Sequence, residues 1–126
     1  MTALEESRIV GQHAFHLKMI TDICVAIRNC SKKTSTEKML NIFIKTILIH
    51  FENEEKIMAR KGYRFLNSHR DDHRRLLGVF DAALKYFSAC ELEFSGNIGD
   101  QILDIIQTHA EAYDKPMMEY LDRISS

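Results

Sequence analysis

Five of the chain's six histidines, together with two carboxylates, fall into four groups: His13; His50 with Glu54; His69 with His73; and His109 with Asp114. Histidine is the commonest side-chain metal ligand, and imidazole mixed with carboxylate suits iron and zinc, among others. These histidines interrupt apolar stripes and do not decorate polar faces. His50 follows Ile47 by three residues, and His109 follows Ile106 by three. A polar ring turned into an apolar interior is costly unless it meets a hydrogen-bond partner or a metal. Any one of them alone reads as an ordinary hydrogen-bonded core histidine. Five of them, spread over four helical segments, point to a metal.

Spacing sharpens this. His50 and Glu54 are four residues apart, as are His69 and His73, so each pair shares one helix face. His109 and Asp114 are five apart, which an ideal α-helix does not align. Pro116 follows closely; it donates no hydrogen bond and its ring crowds the carbonyl of Ala112. A kink or widened turn over Ala112–Pro116, swinging Asp114 inward, is therefore predicted. If two irons share both carboxylates and one solvent-derived bridge, the ion held by His69, His73 and His109 is coordinatively full. The ion held by His13 and His50 is one ligand short. An open position on a redox metal facing an apolar interior is a place for a small diatomic molecule.

The elements that must position these donors are helices. One proline and five glycines in 126 residues predict long rods with short connections. The first apolar stripe runs Ile9, His13, His16, Ile20, Ile23, Ile27, and dissolves in the polar run 29–35. Thr34 with Glu37 reads as a capping box for a second helix, carrying Leu40, Phe43, Ile47, His50, Glu54 and Ile57 or Met58. Lys61-Gly62 reads as its stop. Asn67 or Ser68 is expected to cap a third helix with His69, His73, Leu76 or Leu77, Phe80, Leu84 and Phe87, which Ser95-Gly96-Asn97 breaks. The fourth stripe is Ile98, Ile102, Ile105, Ile106, His109, Tyr113, Met117, Tyr120. No strand of convincing length appears. The pattern predicts one all-α domain over 1–126, an antiparallel up-down-up-down four-helix bundle.

Composition excludes other classes. Hydrophobic residues make up 45% of the chain, enough for one core, and charged residues 28%. A net charge of −1 gives no electrostatic case for nucleic acid or an anionic membrane. No apolar run is long enough to span a bilayer. The start, with Glu5 and Glu6, lacks the apolar stretch of a secretory signal. Cys24, Cys30 and Cys90 form no CxxC, and a reduced, cytoplasmic protein is expected. Met19, Met39, Met58, Met117 and Met118 read mostly as core filling. Arg60, Lys61, Arg64, Arg70, Arg74 and Arg75 read as solvated surface, and Asp71 and Asp72 as outward-pointing neutralising neighbours.

The run His50-Phe51-Glu52-Asn53-Glu54-Glu55-Lys56-Ile57-Met58, then Gly62-Tyr63, then His69-Arg70-Asp71-Asp72-His73, closely resembles the hemerythrin signature. So do Gln12-His13 and the segment from His109 to Asp114 followed by Lys115. The spacing is similar to that of bacterial hemerythrins, and the resemblance covers nearly the whole chain. It implies a non-haem di-iron centre, oxo- or hydroxo-bridged, that binds O2 reversibly and is not an enzyme. By this resemblance His69, His73 and His109 hold the saturated iron, His13 and His50 the O2-binding iron, and Glu54 and Asp114 bridge. The O2 pocket would comprise Phe51, Met58, Ile106 and Ala110.

Three departures stand out. Ile105 occupies a position where many relatives carry tryptophan, and Ala110 one where many carry a bulky aliphatic. The missing volume implies a wider pocket, readier entry of water and small anions such as azide, and faster autoxidation. His16, three residues after His13, shares its stripe and is the alternative first-helix ligand; Gln12-His13 with Ile9 favours His13. The expected roles are O2 or redox sensing, which the wider pocket favours, or O2 storage and delivery. If the chain senses, the signalling output is expected in a parent chain or a separate partner protein, since little sequence flanks the helices. A di-iron oxidase, peroxidase or nitric-oxide enzyme is the alternative, disfavoured by five histidines against two carboxylates. A closed tetrahedral zinc site fits the donor set poorly.

Overall fold

The computed structural model of the protein describes residues 3–29, 33–89 and 96–125; several first-helix side chains, including those of Gln12 and His16, lie outside the described residues. The described chain is helical: α1 (Ala3–Arg28), α2 (Lys33–Arg60), α3 (Leu66–Ala89) and α4 (Gly96–His109). A π turn (Ala110–Asp114) leads from α4 into α5 (Lys115–Ser125), so α4, the turn and α5 form one last rod. This is the four-helix bundle that the four apolar stripes predicted, and no strand occurs among the described residues. No described helix is long and apolar enough to cross a membrane.

The rods pack α1 on α2 and α4, and α2 on α3. Their directions follow from paired contacts. Phe43 meets Phe80 edge-on at 4.9 Å, while Phe51 meets His73 at 3.8 Å, so α2 and α3 run antiparallel. Arg28 pairs with Asp100 at one end of α1, and His13 approaches Asp114 at the other, so α1 and the last rod are antiparallel too. Among the described residues the backbones of α3 and the last rod approach less closely than those of the other neighbouring pairs. Side chains bridge that seam.

The stripes become two apolar layers. The larger contains Ile20, Cys24, Ile27, Phe43, Ile47, Phe51, Phe80 and Ile106; the smaller contains Ile57, Met58, Tyr63, Met117 and Leu121. The histidine layer comes between them: His50 and Glu54 flank the step from Phe51 to Ile57, and His109 with Asp114 occupies the step from Ile106 to Met117. Burial of Cys24 pushes its thiol up to about 12, which leaves it a small apolar core residue.

The stop at Lys61-Gly62 has the expected geometry. Gly62 adopts φ +65°, the Gly62 N–H donates to the Ala59 carbonyl and the Tyr63 N–H to the Met58 carbonyl. This is a complete Schellman termination, and Tyr63 then packs in one cluster with Met58. Helix starts differ from expectation. α2 already includes Lys33, so Thr34 and Glu37 lie inside its first turn and not at a cap. α3 begins at Leu66, ahead of Asn67 and Ser68, because the chain winds straight out of the Schellman turn: Leu66 N–H donates to Tyr63, and His69 N–H to Phe65. Gly96 and Asn97 belong to α4, and Ser95, with the rest of 90–95, lies outside the described residues.

Gly99 sets how closely α4 lies on α1. A Cβ there would stand 2.7 Å from the Cys24 carbonyl oxygen and 2.9 Å from the Arg28 backbone nitrogen. Both neighbours are backbone and cannot rotate away. Gly99→Ala should therefore destabilise the fold by about 1–3 kcal/mol despite alanine's better helix propensity. Urea unfolding monitored by circular dichroism checks this.

Candidate metal centre

Helical phase delivers the donors. On α2, Ile47, His50, Phe51 and Glu54 form one buried face, and on α3 His69, His73 and Leu76 do the same. On the last rod the π turn supplies the phase: the Lys115 N–H donates to the Ala110 carbonyl, one residue further back than in an α-helix. The widening expected over Ala112–Pro116 falls two residues earlier, over Ala110–Asp114, with Lys115 between it and Pro116, which has no N–H to return to Ala112. The extra residue brings His109 and Asp114 to the same side, and both are buried.

His13, His50, Glu54, His69, His73, His109 and Asp114 all come together. His16, the alternative to His13, cannot be placed, because its side chain lies outside the described residues. The donors form two groups, Glu54-His69-His73-His109-Asp114 and His13-His50-Glu54-Asp114, with donor atoms in each within 4.8 Å of one another. Glu54 and Asp114 belong to both. Glu54 Oε1 lies 3.2 Å from His73 Nε2 and 3.8 Å from His69 Nε2. Its Oε2 lies 3.2 Å from His50 Nε2 and 2.7 Å from His13 Nδ1. Asp114 Oδ1 lies 3.1 Å from Nε2 of both His69 and His109, and its Oδ2 lies 4.0 Å from His13 Nε2. Each carboxylate thus turns one oxygen toward members of the His69-His73-His109 group and the other toward the His13-His50 group.

The fit to metal is chemical as well as spatial. Both Glu54 oxygens, Asp114 Oδ1 and Nε2 of His69, His73 and His109 are buried without a hydrogen bond of proper geometry. Lone pairs arranged this way face a common centre, and cations there would satisfy them. Electrostatics agree. Burial favours the neutral form of Glu54, but His13, His50 and His73 outweigh it and hold the carboxyl well below its ordinary range. Burial likewise opposes ionisation of Asp114, yet His109 and His69 lower its pKa. Burial disfavours the charged forms of His13 and His109; Glu54 raises the first, and Asp114 and Asp72 raise the second.

Around the donors stands a shell that spacing alone did not assign. Asp72 does not point outward as expected. It is buried, its Oδ2 accepts from His109 Nδ1 at 2.6 Å, and its Oδ1 accepts from Arg75 at 2.9 Å. Burial alone would raise the Asp72 pKa, but His109 and Arg75 lower it. Glu55 does the equivalent, accepting from His73 Nδ1 at 2.8 Å and from Arg70 at 3.0 Å. Arg70 and Arg75 are thus partners of this shell and not merely solvated surface, whereas Arg74 pairs only loosely with exposed Asp71, at 3.4 Å. Rings complete the wall. Phe51 stacks on His73 at 3.8 Å, and Tyr113 stacks on His109 at 5.3 Å. The Asp72–Arg75 spacing of three was visible in sequence; the histidine across the helix gap was not.

Phe51 and Ile106 are buried in the larger apolar layer, Met58 in the smaller, and Ala110 is half-buried at the first position of the π turn. The four residues of the expected pocket therefore flank the histidine layer from two sides.

A four-helix bundle with five histidines and two shared carboxylates buried between two apolar layers defines a hemerythrin-like metal-binding domain. The comparison with known proteins agrees: the chain is 32% identical over 117 residues to Bacteriohemerythrin of Methylococcus capsulatus, covering 90% of this chain and 89% of that one. The chain belongs to the bacteriohemerythrin family. No protein-family model and no solved structure matches it.

Proposed function

We propose that this chain, acting as a single domain, binds O2 reversibly at a non-haem di-iron centre and serves O2 or redox sensing, or O2 storage and delivery. The observation that carries this is the division of Glu54 and Asp114 between two histidine groups of unequal size. Two shared carboxylates suit a pair of ions, and the inequality leaves one ion a nitrogen short. His69, His73 and His109 would hold one iron, and His13 and His50 the other. Reduced iron would supply the electrons and the vacant position for O2. The chain's own residues hold the donors in phase, exclude bulk water with apolar layers on both sides, and keep the carboxylates ionised. The name of the relative supports iron and O2 as the cargo.

The test is direct. Reduce the loaded protein anaerobically, admit O2, and follow iron content with the visible spectrum. A band that appears with O2 and vanishes on its removal, with two irons per chain, is expected. Steady consumption of a reductant would favour a di-iron enzyme instead, and absence of iron would overturn both. Ala110 is half-buried and follows His109 directly; its small side chain, in place of a bulky aliphatic, would leave room for water or small anions such as azide. Ala110→Ile should slow autoxidation and weaken azide binding. An unchanged autoxidation rate under air counts against the wider pocket and against sensing.

A further inference from the structure

We propose that Glu55 and Asp72 are positioning residues of the metal centre: two cross-helix straps that aim His73 and His109 and set metal affinity and reduction potential at the three-histidine position. This rests on the di-iron reading above.

The two straps share one design. Glu55 stands on α2 but holds His73 of α3; Asp72 stands on α3 but holds His109 of the last rod. Each carboxylate spends one oxygen on imidazole Nδ1 and the other on an arginine, Arg70 or Arg75. The arginine fixes the carboxylate's orientation and keeps its charge. The carboxylate in turn requires the proton on Nδ1, which leaves the Nε2 lone pair free for metal. In both histidines it is Nε2 that faces the shared carboxylates, His73 toward Glu54 and His109 toward Asp114. Both belong to the same donor group. An imidazole backed by a carboxylate is a stronger base and favours the more highly charged state of a bound metal.

Placement adds to the case. Asp72 crosses the seam between α3 and the last rod, where, among the described residues, backbones approach least among neighbouring rods. Its strap takes over a register that close helix packing supplies elsewhere. Asp72 and Arg75 also line a surface cleft of about 500 Å³ with Ser68, Asp71 and Tyr113. The outer end of this strap therefore meets solvent, and its arginine side chain is 62% exposed. Arg75 can be changed without opening the core.

The experiment uses the full chain with Asp72→Asn, Glu55→Gln and Arg75→Gln, and Arg74→Gln as the control on the same helix. Asparagine and glutamine keep an acceptor oxygen and remove the charge. Co2+ affinity of the metal-free protein is measured by chelator competition, the midpoint potential on the iron-loaded protein, and folding by thermal unfolding. Asp72→Asn and Glu55→Gln should each lose on the order of 10–100-fold in Co2+ affinity and raise the iron potential. Arg75→Gln should lose less, in the same direction, with unfolding unchanged; this surface variant keeps the test open if a buried substitution fails to fold. Arg74→Gln should match wild type. Wild-type affinity and potential in Asp72→Asn and Glu55→Gln overturn the straps while leaving the di-iron reading intact, as does an Arg74→Gln effect equal to that of Arg75→Gln. A wild-type chain that takes up neither Co2+ nor iron overturns the di-iron reading itself.

Discussion

Glu54→Ala should yield a helical protein that no longer holds a pair of irons and shows no O2-dependent visible band. Glu54 is 3% exposed and lies within 4 Å of His13, His50, His69 and His73, so it is the donor with most neighbours. Its two oxygens face different histidine groups, and removing them takes one oxygen donor from each position at once. Loss of any one histidine would strip only one. The helix should persist, since alanine is a strong helix former and the flanking Phe51 and Met58 remain buried. Without metal the cost is electrostatic: His13 loses the carboxylate that raises its pKa, and below neutral pH it would give up its proton more readily. Glu54→Gln separates the two effects, because it keeps the volume and removes the charge. Iron counting, visible spectra and circular dichroism on both variants check the expectation. Two irons per chain in Glu54→Ala would remove the shared carboxylate from the proposed centre.

The second large effect is a pair of opposite pH trends. In the metal-free protein His13 and His109 have pKa values raised above 6.5. Their contribution to stability is complete below that value and is lost as pH rises through the raised folded values. Glu54, Asp114 and Asp72 have lowered values, so their contribution is present above the ordinary carboxylate range and is lost as pH falls through the lowered ones. The metal-free protein should therefore be most stable in mildly acid solution, between the two ranges. Moving from there to alkaline pH should reduce stability by up to about 1.4 kcal/mol per pH unit for each proton released. Metal runs the other way. Ligating imidazoles must be neutral, so protons compete with the ions and affinity rises with pH. Each proton displaced on binding makes affinity about tenfold stronger per pH unit. Unfolding of the metal-free chain and Co2+ titration at a series of pH values should give slopes of opposite sign between mildly acid and mildly alkaline solution. Parallel slopes would mean that the histidines are not the groups exchanging protons for metal.

The four rods, the inward face of each, and the convergence of the seven histidine and carboxylate side chains followed from the sequence. Helical spacing fixes which residues of one rod share a face, and histidines at stripe positions must then turn into the core. Even the widened turn was readable, because Pro116 and the five-residue step from His109 to Asp114 conflict with an unbroken α-helix. Cap positions were less readable: winding of α3 from Leu66 is driven by the Schellman turn before it, not by Asn67 or Ser68. What tertiary structure alone decided is which side chain answers which across the gaps. Asp72 reaches His109, Glu55 reaches His73, Phe51 stacks on His73, and each shared carboxylate divides its two oxygens between histidine groups. Periodicity gives the rotational phase of a residue on its own helix. The partner it meets depends on the axial register and separation of neighbouring helices, which the packing of whole apolar layers determines.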